Sequence, residues 1–345
     1  MEKHVLRLTE EQEATGYQVV LAFNQGRRHG PDDIRMLPWL DLHRIPVAAI
    51  RDLIFYGALV AVLLRRRVRA DAIHIHGDWS AFLLGRLVAW LTGATTTVAS
   101  VHGAIRGGIW SRVYRLVLRR YSVIYCTGAR EANALRADGV RNVYWRSSGI
   151  SDVYFREAED DLSGEAKQID VICVANLFPV KNLPLLMRIA QAMPDLMFVV
   201  VGEGPLRKTL EELAGDLALV NVRLAGALDV EGVRANLAGS RVFLSTSFVE
   251  GTPTAMLEAM AMGLPVVVSC SNDYSGVIVP GENGFVVDGW DPGLFSSAID
   301  MVLADKATYR AISQRNREAA RRHQWPYVAN QISGWMEGAR GDDGK

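Results

Sequence analysis

The chain has 345 residues, of which 49% are hydrophobic and 22% are charged, and its formal net charge is zero. These totals are those of an ordinary globular protein that can bury a large core without disulfides or structural metals. The length suggests about two domains. The longest uncharged apolar run, residues 53–64, is too short for the roughly 20 residues that a membrane-spanning helix needs. We expect a cytoplasmic protein, because no apolar signal-peptide core follows the first residues.

The charge is divided unevenly along the chain. Residues 1–150 contain 21 Lys and Arg against 12 Asp and Glu, and the remainder contains 17 against 26. Such asymmetry is typical of a basic half that meets an anionic surface. The three cysteines, Cys126, Cys173 and Cys270, lie far apart in apolar runs and predict buried free thiols rather than a zinc site.

In the first half, short strands alternate with helices. An amphipathic helix over 3–14 comes first, with Gly16 as its C-cap. The strands are predicted at 18–23, 34–37, 72–75, 96–101, 123–126 and 143–145, with helices that include 47–66, 80–91 and 110–120. This alternation predicts βαβ units and a parallel sheet. Because doubly wound sheets begin with a strand and a glycine-rich turn, we expect that the first strand is missing, through a late start codon or a truncation.

The second half repeats this alternation after an acidic, aperiodic linker at 155–168. Strands are predicted at 170–175, 197–201, 222–224, 242–245, 265–268 and 284–287. Helices are predicted at 183–192, 203–218, 230–237, 253–262, 292–303, 307–323 and 327–337. We therefore predict two Rossmann-like domains, over 1–155 and 156–325, and a C-terminal helix and tail over 326–345 that packs back toward the first domain.

A turn between a strand and a helix at 245–263 carries the chemistry. Gly251 gives the turn conformational freedom, and Thr252 and Pro253 are typical of an N-cap and a first helical position. A helix N-terminus beyond the carboxyl end of a parallel strand suits a diphosphate, because its amides and dipole attract anions. Glu250 precedes this helix, and Glu258 lies roughly 8 Å further along it.

Two carboxylates so placed could bracket a phosphate and accept hydrogen bonds from sugar hydroxyls. The alternative is an ordinary helix with two solvated glutamates. Glu258 stands in a nearly apolar helix, so we expect it to be functional or paired.

This segment resembles the retaining family 4 glycosyltransferases (glycosyl transferases group 1) of GT-B fold, in which a strand is followed by Glu, seven residues and Glu. Residues 171–182, 199–205 and 283–287 are similar to the family's donor-phosphate loop, its next strand and turn, and its late strand. Residues 71–77 and 100–103 are similar, more weakly, to its histidine-bearing strand ends. The resemblance implies two Rossmann-like doubly wound parallel-sheet domains facing a cleft, the first binding the acceptor and the second the nucleotide-sugar.

The resemblance also implies roles for individual residues. Lys181 neutralises the donor diphosphate, Glu250 engages the donor sugar, Glu258 grips the ribose, and His102 faces the sugar. Asn176 stands where the family usually has an arginine. The implied catalytic residues are His102, Lys181 and Glu250, and the implied donor-binding residues are Asn176, Gly202, Gly251, Thr252, Pro253, Thr254 and Glu258.

The implied reaction is retaining transfer from a nucleotide-sugar to an acceptor hydroxyl, in synthesis of a cell-surface polysaccharide, lipopolysaccharide or lipid-linked glycan. It needs no metal or other cofactor, because Lys181 and the helix dipole supply the positive charge. Two alternatives stay open, a non-catalytic glycosyltransferase-like subunit and a GT-B sugar-nucleotide epimerase.

Other patterns are weaker. His74 and His76 share one face of a strand, but two histidines without a third ligand favour packing over a metal site. Gly202-Glu203-Gly204 lacks the third glycine of a dinucleotide fingerprint. The basic helix within 106–120 either packs on the core as a solvated helix or binds an anionic membrane surface at the inner face of the membrane. No nucleic-acid module is visible.

Overall fold

The computed structural model describes residues 2–23, 33–36, 47–77, 79–102, 109–156, 167–250, 253–270, 274 and 277–342. The chain forms two compact units. Unit 1 comprises Met1–Gly149 and Trp325–Lys345, and unit 2 comprises Ile150–Gln324. Each unit is built on its own parallel sheet with helices around it.

Unit 1 holds a four-stranded sheet in the order β3-β4-β5-β6 and a separate parallel pair, β1-β2. Its strands are β1 (Ala22–Phe23), β2 (Ile34–Arg35), β3 (Ala72–His76), β4 (Thr96–Val101), β5 (Val123–Cys126) and β6 (Val143–Trp145). Its helices are α1 (Glu2–Ala14), α2 (Ala48–Arg66), α3 (Trp79–Thr92), α4 (Ile109–Leu118), α5 (Ala129–Ala137) and α12 (Trp325–Asp342).

The four-stranded sheet of unit 1 is covered on both faces. Neighbouring residues of a strand point to opposite faces, so Ala99 packs with the core that includes Phe82 of α3, and Val98 packs with Leu8 of α1 and Ile332 of α12. Helices α1 and α12 also contact each other. The last helix of the chain is thus part of unit 1.

Unit 2 holds a six-stranded sheet in the order β12-β11-β10-β7-β8-β9, with every strand parallel to its neighbour. Its strands are β7 (Ile169–Val174), β8 (Phe198–Val201), β9 (Val222–Gly226), β10 (Ser240–Ser245), β11 (Val266–Ser269) and β12 (Gly284–Val287). Its helices are α6 (Leu183–Ala192), α7 (Arg207–Asp216), α8 (Val230–Ala238), α9 (Thr254–Ala261), α10 (Pro292–Ala304) and α11 (Lys306–Arg321).

The strand order of unit 2 reverses between β7 and β10. The chain runs outward from β7 through β8 to β9, then returns to β10 and runs the other way to β12. Strands β8 and β11 are buried along their length and apolar except for Ser269 at the end of β11, which is typical of a parallel sheet covered on both faces. Ligands of open α/β sheets bind outside the carboxyl ends of the strands at such a reversal.

The predicted alternation of strands and helices in two parallel-sheet units is confirmed. The helix predicted from 203 begins only at Arg207, because Gly202 and Gly204 have φ of 143° and 159°, outside the helical region. The strand predicted at 18–23 is reduced to Ala22–Phe23.

Two further findings concern single features. Cys126 and Cys173 are buried free thiols as predicted, but Cys270 is exposed because it lies just beyond the end of β11. Among the described residues, no helix is both long and apolar enough to cross a membrane.

Candidate functional site

A cavity of about 260 Å³ lies at the reversal point of unit 2. Residues from the ends of β7 and β10 line it, together with the loops that follow those strands. The lining residues are Cys173, Val174, Ala175, Lys181, Phe243, Ser245, Glu250, Pro253, Thr254 and Ala255. The sequence-predicted Lys181, Glu250, Pro253 and Thr254 therefore share one pocket at the place where this sheet topology favours a ligand.

An ion pair joins the two charged residues of this pocket. Lys181 Nζ donates to Glu250 Oε1, and the Ser247 hydroxyl donates to the same oxygen at 2.8 Å. The side chains of Lys181 and Glu250 are only 21% and 15% exposed. Because partly buried charges are screened less by salt, salt weakens this pair less than it weakens a surface ion pair.

Hydrogen bonds between two loops hold the ion pair in place. The Thr246 hydroxyl donates to the carbonyls of Lys181 and Asn182 at 3.1 Å each. The Phe248 amide donates to the Val180 carbonyl at 2.8 Å. The loop after β10 is thereby bound to the short 3-10 turn Pro179–Lys181, so Lys181 and Glu250 are positioned together although 69 residues separate them.

Buried hydroxyls support the ion pair, and their role is not among the predictions from the sequence. Ser245, Thr246 and Ser247 are buried, and Ser269 Oγ donates to the Ser247 carbonyl at 2.6 Å. The signal was a run of three hydroxyl side chains at the end of an apolar strand, where each buried polar group needs a partner.

Helix α9 borders the pocket with its first turn, where Thr254 and Ala255 line the cavity. Pro253 occupies the N-cap, with φ −70° and ψ 121°, and the helix begins at Thr254. The prediction that Pro253 is the first helical residue is wrong, because its extended ψ places it outside the helix. Gly251 and the predicted N-cap Thr252 lie outside the described residues. A helix N-terminus and a lysine at one cavity suit an anion.

Glu258, in α9, is half-buried and paired. The Tyr154 hydroxyl is hydrogen-bonded to its carboxylate, and burial together with this carboxylate raises the pKa of Tyr154 above its ordinary value. The alternative of a solvated glutamate is therefore excluded. The sequence carries no signal for Tyr154, because this residue lies about a hundred residues earlier in the chain and no local pattern links it to α9.

Asn176 and Gly202 follow two neighbouring strands. Asn176 is exposed, two residues after β7. Gly202 follows β8, and a Cβ at this position would lie 2.0 Å from the Ala175 carbonyl oxygen. No side chain fits there, so Gly202 keeps the chain after β8 tight against the pocket-lining end of β7.

Four histidines gather in unit 1. His102 directly follows β4, as predicted, and His76 ends the neighbouring β3. His76 Nδ1 lies 2.9 Å from His102 Nε2, and the rings of His74 and His76 stack with centroids 4.2 Å apart. His4 of α1 places its ring 5.1 Å from that of His102 and 6.0 Å from that of His76. The expectation that His74 and His76 have no third histidine nearby is thus wrong.

Burial keeps these imidazoles neutral. It lowers the pKa of His4 and of His74 to about 3 and that of His102 to about 4, and the neighbouring rings add to the effect on His4 and His74. The pKa of His76 is lowered well below its usual value for the same reasons. At physiological pH each ring therefore carries one N–H and one lone pair.

Two protein-family models match the chain. Residues 155–319 match glycosyl transferases group 1, and residues 1–146 match a glycosyl transferase 4-like domain. A GDP-mannose-dependent alpha-(1-6)-phosphatidylinositol monomannoside mannosyltransferase of Mycolicibacterium smegmatis is 28% identical over 285 residues, 75% of this chain and 74% of that protein.

Solved structures are similar over nearly the whole chain. Sucrose-phosphate synthase from Thermosynechococcus elongatus superposes with a TM-score of 0.81 at 19% identity, over 98% of this chain and 93% of that one. The Anabaena protein HepE in complex with UDP and glucose superposes with a TM-score of 0.77 at 16% identity, over 98% and 95%. At these identities, the likeness concerns the fold.

Proposed function

Because the chain belongs to the glycosyl transferases group 1 family and has the GT-B fold, we propose that its unit 2 pocket binds the diphosphate of a nucleotide-sugar donor for retaining transfer. The observation that carries this proposal is the Lys181–Glu250 ion pair beside the first turn of α9. It brings a cation, a carboxylate and helix amides to one cavity.

Lys181 and α9 are suited to the leaving group. The Lys181 ammonium has three N–H donors, and Glu250 accepts one of them. Phosphate oxygens would accept from the ammonium and from the amides of the first turn of α9, where the positive end of the helix dipole adds to the attraction. This arrangement stabilises the charge that develops on the departing diphosphate, and it makes a metal cofactor unnecessary in the reaction that we propose.

The carboxylates are suited to the sugars of the donor. Lys181 and Ser247 fix one oxygen of Glu250, which orients the carboxylate for a donor-sugar hydroxyl. Tyr154 similarly steadies Glu258, for which we propose the ribose hydroxyls. Asn176 would donate to a phosphate, and the role at the donor sugar that the resemblance implies for His102 stays a prediction. The acceptor hydroxyl then attacks from the face that the diphosphate leaves.

A donor panel tests this function. Purified protein is incubated with UDP-glucose, GDP-mannose and other nucleotide-sugars, with and without acceptor lipid, and release of nucleoside diphosphate is measured. The Mycolicibacterium relative is named for GDP-mannose and the Anabaena protein was solved with UDP and glucose, so both bases belong in the panel.

Lys181→Met should lower turnover by roughly 10²–10³-fold, because it removes a charge that acts on the leaving group. Lys208→Met is the control, since Lys208 lies on α7 with its side chain 87% exposed. Equal turnover in wild type and a folded Lys181→Met variant would contradict the proposal. A new sugar nucleotide formed without acceptor would support an epimerase instead, and donor binding without turnover would support a non-catalytic subunit.

We further propose a lipid-linked acceptor, reached at an anionic membrane surface on the inner face of the membrane. The name of the Mycolicibacterium relative specifies a phosphatidylinositol glycolipid. In unit 1, α3 packs between α2 and α4, and these helices expose an apolar band. Its members, each 44–76% exposed, are Leu53, Leu83, Leu87, Trp90 and Leu116.

Basic residues accompany this band. Arg86 of α3 and Arg112 of α4 are exposed, as are Arg119 and Arg120 just after α4. Tyr114 of α4 is buried in the core, so α4 both packs on the core and presents a basic face. Of the basic residues predicted within 106–120, Arg106 lies outside the described residues. Apolar side chains rimmed by arginines fit the interface of an anionic bilayer.

Vesicle co-sedimentation tests this surface. The protein should bind vesicles containing anionic phosphatidylglycerol more strongly than neutral phosphatidylcholine vesicles, and salt should weaken the binding. A Leu87→Gln/Trp90→Ala variant should bind the anionic vesicles at least about tenfold more weakly, because it removes two of the five apolar side chains, including the most exposed one, Trp90. Met301→Gln on α10, where Met301 is 54% exposed, is the control. Equal binding by all three proteins would contradict the membrane surface.

A further inference from the structure

Three histidines from separate elements of unit 1 converge on one point. They are His4 of α1, His76 at the end of β3 and His102 just after β4, and their ligand nitrogen atoms all lie within 4.8 Å of one another. In the part of the chain that the structure describes, no other group of three or more His, Cys, Asp or Glu side chains is placed to hold a metal ion. We propose that His4, His76 and His102 bind a divalent transition-metal ion of the zinc class.

His4 provides the clearest indication of a ligand. The residue is only 6% exposed, and its Nδ1 hydrogen-bonds with the Ser148 hydroxyl at 2.9 Å. Its Nε2 is buried and has no hydrogen-bond partner. Buried polar atoms without a partner are costly and rare. When Nδ1 donates its N–H to the Ser148 hydroxyl, Nε2 presents a lone pair, which is the usual arrangement of a metal-bound histidine.

His76 and His102 supply the other two nitrogens. His76 Nδ1 and His102 Nε2 face each other at 2.9 Å, so a single proton lies between them. For a metal ion to bind there, the ring that donates this proton changes tautomer, so that its proton moves to the other ring nitrogen and both facing nitrogens present lone pairs. Ligand nitrogens at about 2.0–2.1 Å from a tetrahedral zinc lie roughly 3.4 Å apart. The observed separations bracket this value, so ring movements of about 1 Å are enough to close the site.

The chemistry of the ligands decides which ion fits. Imidazole nitrogen suits zinc, cobalt, nickel and copper, whereas magnesium and calcium prefer oxygen. Tyr125 and Trp325 lie beside His4, with ring centroids 5.8 Å and 5.1 Å away, and they shield the cluster. Three protein ligands leave a fourth position for water or another small ligand.

His74 lies next to the three ligands but outside the proposed set. Its ring stacks on His76, and its Nε2 hydrogen-bonds with the Ser100 hydroxyl at 2.6 Å. His74→Gln therefore serves as a matched control. It changes a residue of the same type on the same strand as His76, and it leaves all three proposed ligands in place.

Cobalt titration of the EDTA-treated full chain tests the site without any assay of transfer. We expect one equivalent of Co²⁺ to bind with the visible absorption of a tetrahedral nitrogen-ligated ion, and zinc to displace it. His4→Gln and His76→Gln should each weaken binding by about 100-fold, because each removes a ligand. Ser148→Ala, which keeps all three ligands, should weaken it by about tenfold through loss of the hydrogen bond that orients His4.

Controls distinguish ligand loss from unfolding and from binding elsewhere. Each variant is accepted only if its circular dichroism and thermal transition match those of the wild type, and Ser148→Ala provides the test if a ligand variant does not fold. His74→Gln should bind cobalt within a few-fold of the wild type, and so should a double variant of the two histidines outside the described residues, His29→Gln/His43→Gln. The proposal is overturned if the wild type takes up no cobalt, if Ser148→Ala and His4→Gln bind as the wild type does, or if only the double variant loses binding.

Discussion

The two units of this glycosyltransferase gather polar side chains in opposite ways. Unit 2 places a charged pair, Lys181 and Glu250, at the edge of a cavity and satisfies it with hydroxyls from the adjoining loops. Unit 1 gathers uncharged rings, including His76 and His102, whose protonation burial opposes. Unit 2 is thus organised to recognise charge, and unit 1 offers lone pairs and N–H groups without charge.

The difference follows from how each group meets the cost of burial. A carboxylate and an ammonium offset the cost of burial when they pair and keep further hydrogen bonds, as Glu250 does with Lys181 and Ser247. Clustered histidines instead lose their protons, because like charges and desolvation both oppose the imidazolium form. Substitutions in unit 2 should therefore change how its pocket binds charged groups, or how stable unit 2 is, and should leave unit 1 folded.

The largest effect is expected for Glu250→Gln. Glutamine keeps the shape of the side chain but removes the negative charge that pairs with Lys181. We expect kcat to fall by roughly 10²–10³-fold, equivalent to about 2.7–4 kcal/mol. Steady-state kinetics with the preferred donor measures this, and Glu212→Gln is the control because Glu212 is 62% exposed on α7. If turnover of the folded Glu250→Gln variant stays within threefold of wild type, the charged pair is not the reacting centre.

Gly202→Ala should disturb the close backbone packing of the turn after β8 against the end of β7. The alanine Cβ would meet the Ala175 carbonyl oxygen at 2.0 Å, and φ of 143° is strained for any L side chain. We expect a loss of at least about 2 kcal/mol in the free energy of unfolding, measured by urea denaturation.

Gly215→Ala is the matched control for that variant. A Cβ at Gly215, in α7, has open space around it, so alanine should be neutral or stabilise the protein by up to about 1 kcal/mol. Hydrogen exchange measured region by region should show that Gly202→Ala lowers amide protection in unit 2 and leaves it unchanged in unit 1. Similar stability of the two glycine variants would show that the tight approach to β7 is not required.

Tyr154→Phe should have a smaller effect. It removes the hydroxyl that hydrogen-bonds Glu258 and leaves a half-buried carboxylate without that donor. We expect a loss of about 1.5–3 kcal/mol in unfolding free energy, the usual value for a hydrogen bond to a charged group. Tyr327→Phe, where Tyr327 is 46% exposed in unit 1, should change it by less than about 0.5 kcal/mol. Equal values for the two variants would show that Tyr154 does not support Glu258.

The smallest expected effect is a gain for Asn176→Arg. Arginine supplies a second cation where the chain has only an amide, so donor affinity should rise by up to about tenfold through a charge-assisted hydrogen bond to phosphate. Isothermal titration with the preferred nucleotide-sugar measures the change. Gln191→Arg adds the same charge at an exposed position of α6 that does not line the cavity. If both variants gain equally, Asn176 does not approach the diphosphate.

Much of the site was visible in the sequence because its signals are local. The spacing of Glu250 and Glu258, the apolar strand before them and the proline at the helix start all lie within one short segment. Lys181 lies in a segment that resembles the family's donor-phosphate loop, and the structure brings it to the cavity that Glu250 also lines. The start of α9 was misplaced by one residue, because cap geometry depends on a single ψ angle that composition does not fix.

The sequence by itself determined the alternation of strands and helices and the two carboxylates, since periodicity and turn residues act over a few neighbours. Tertiary structure alone decided which distant side chains meet: Tyr154 with Glu258, Thr246 with the Lys181 loop, and His4 with His76 and His102. These contacts depend on strand order, register and helix packing, which add no pattern to the sequence around any one of the residues that they join.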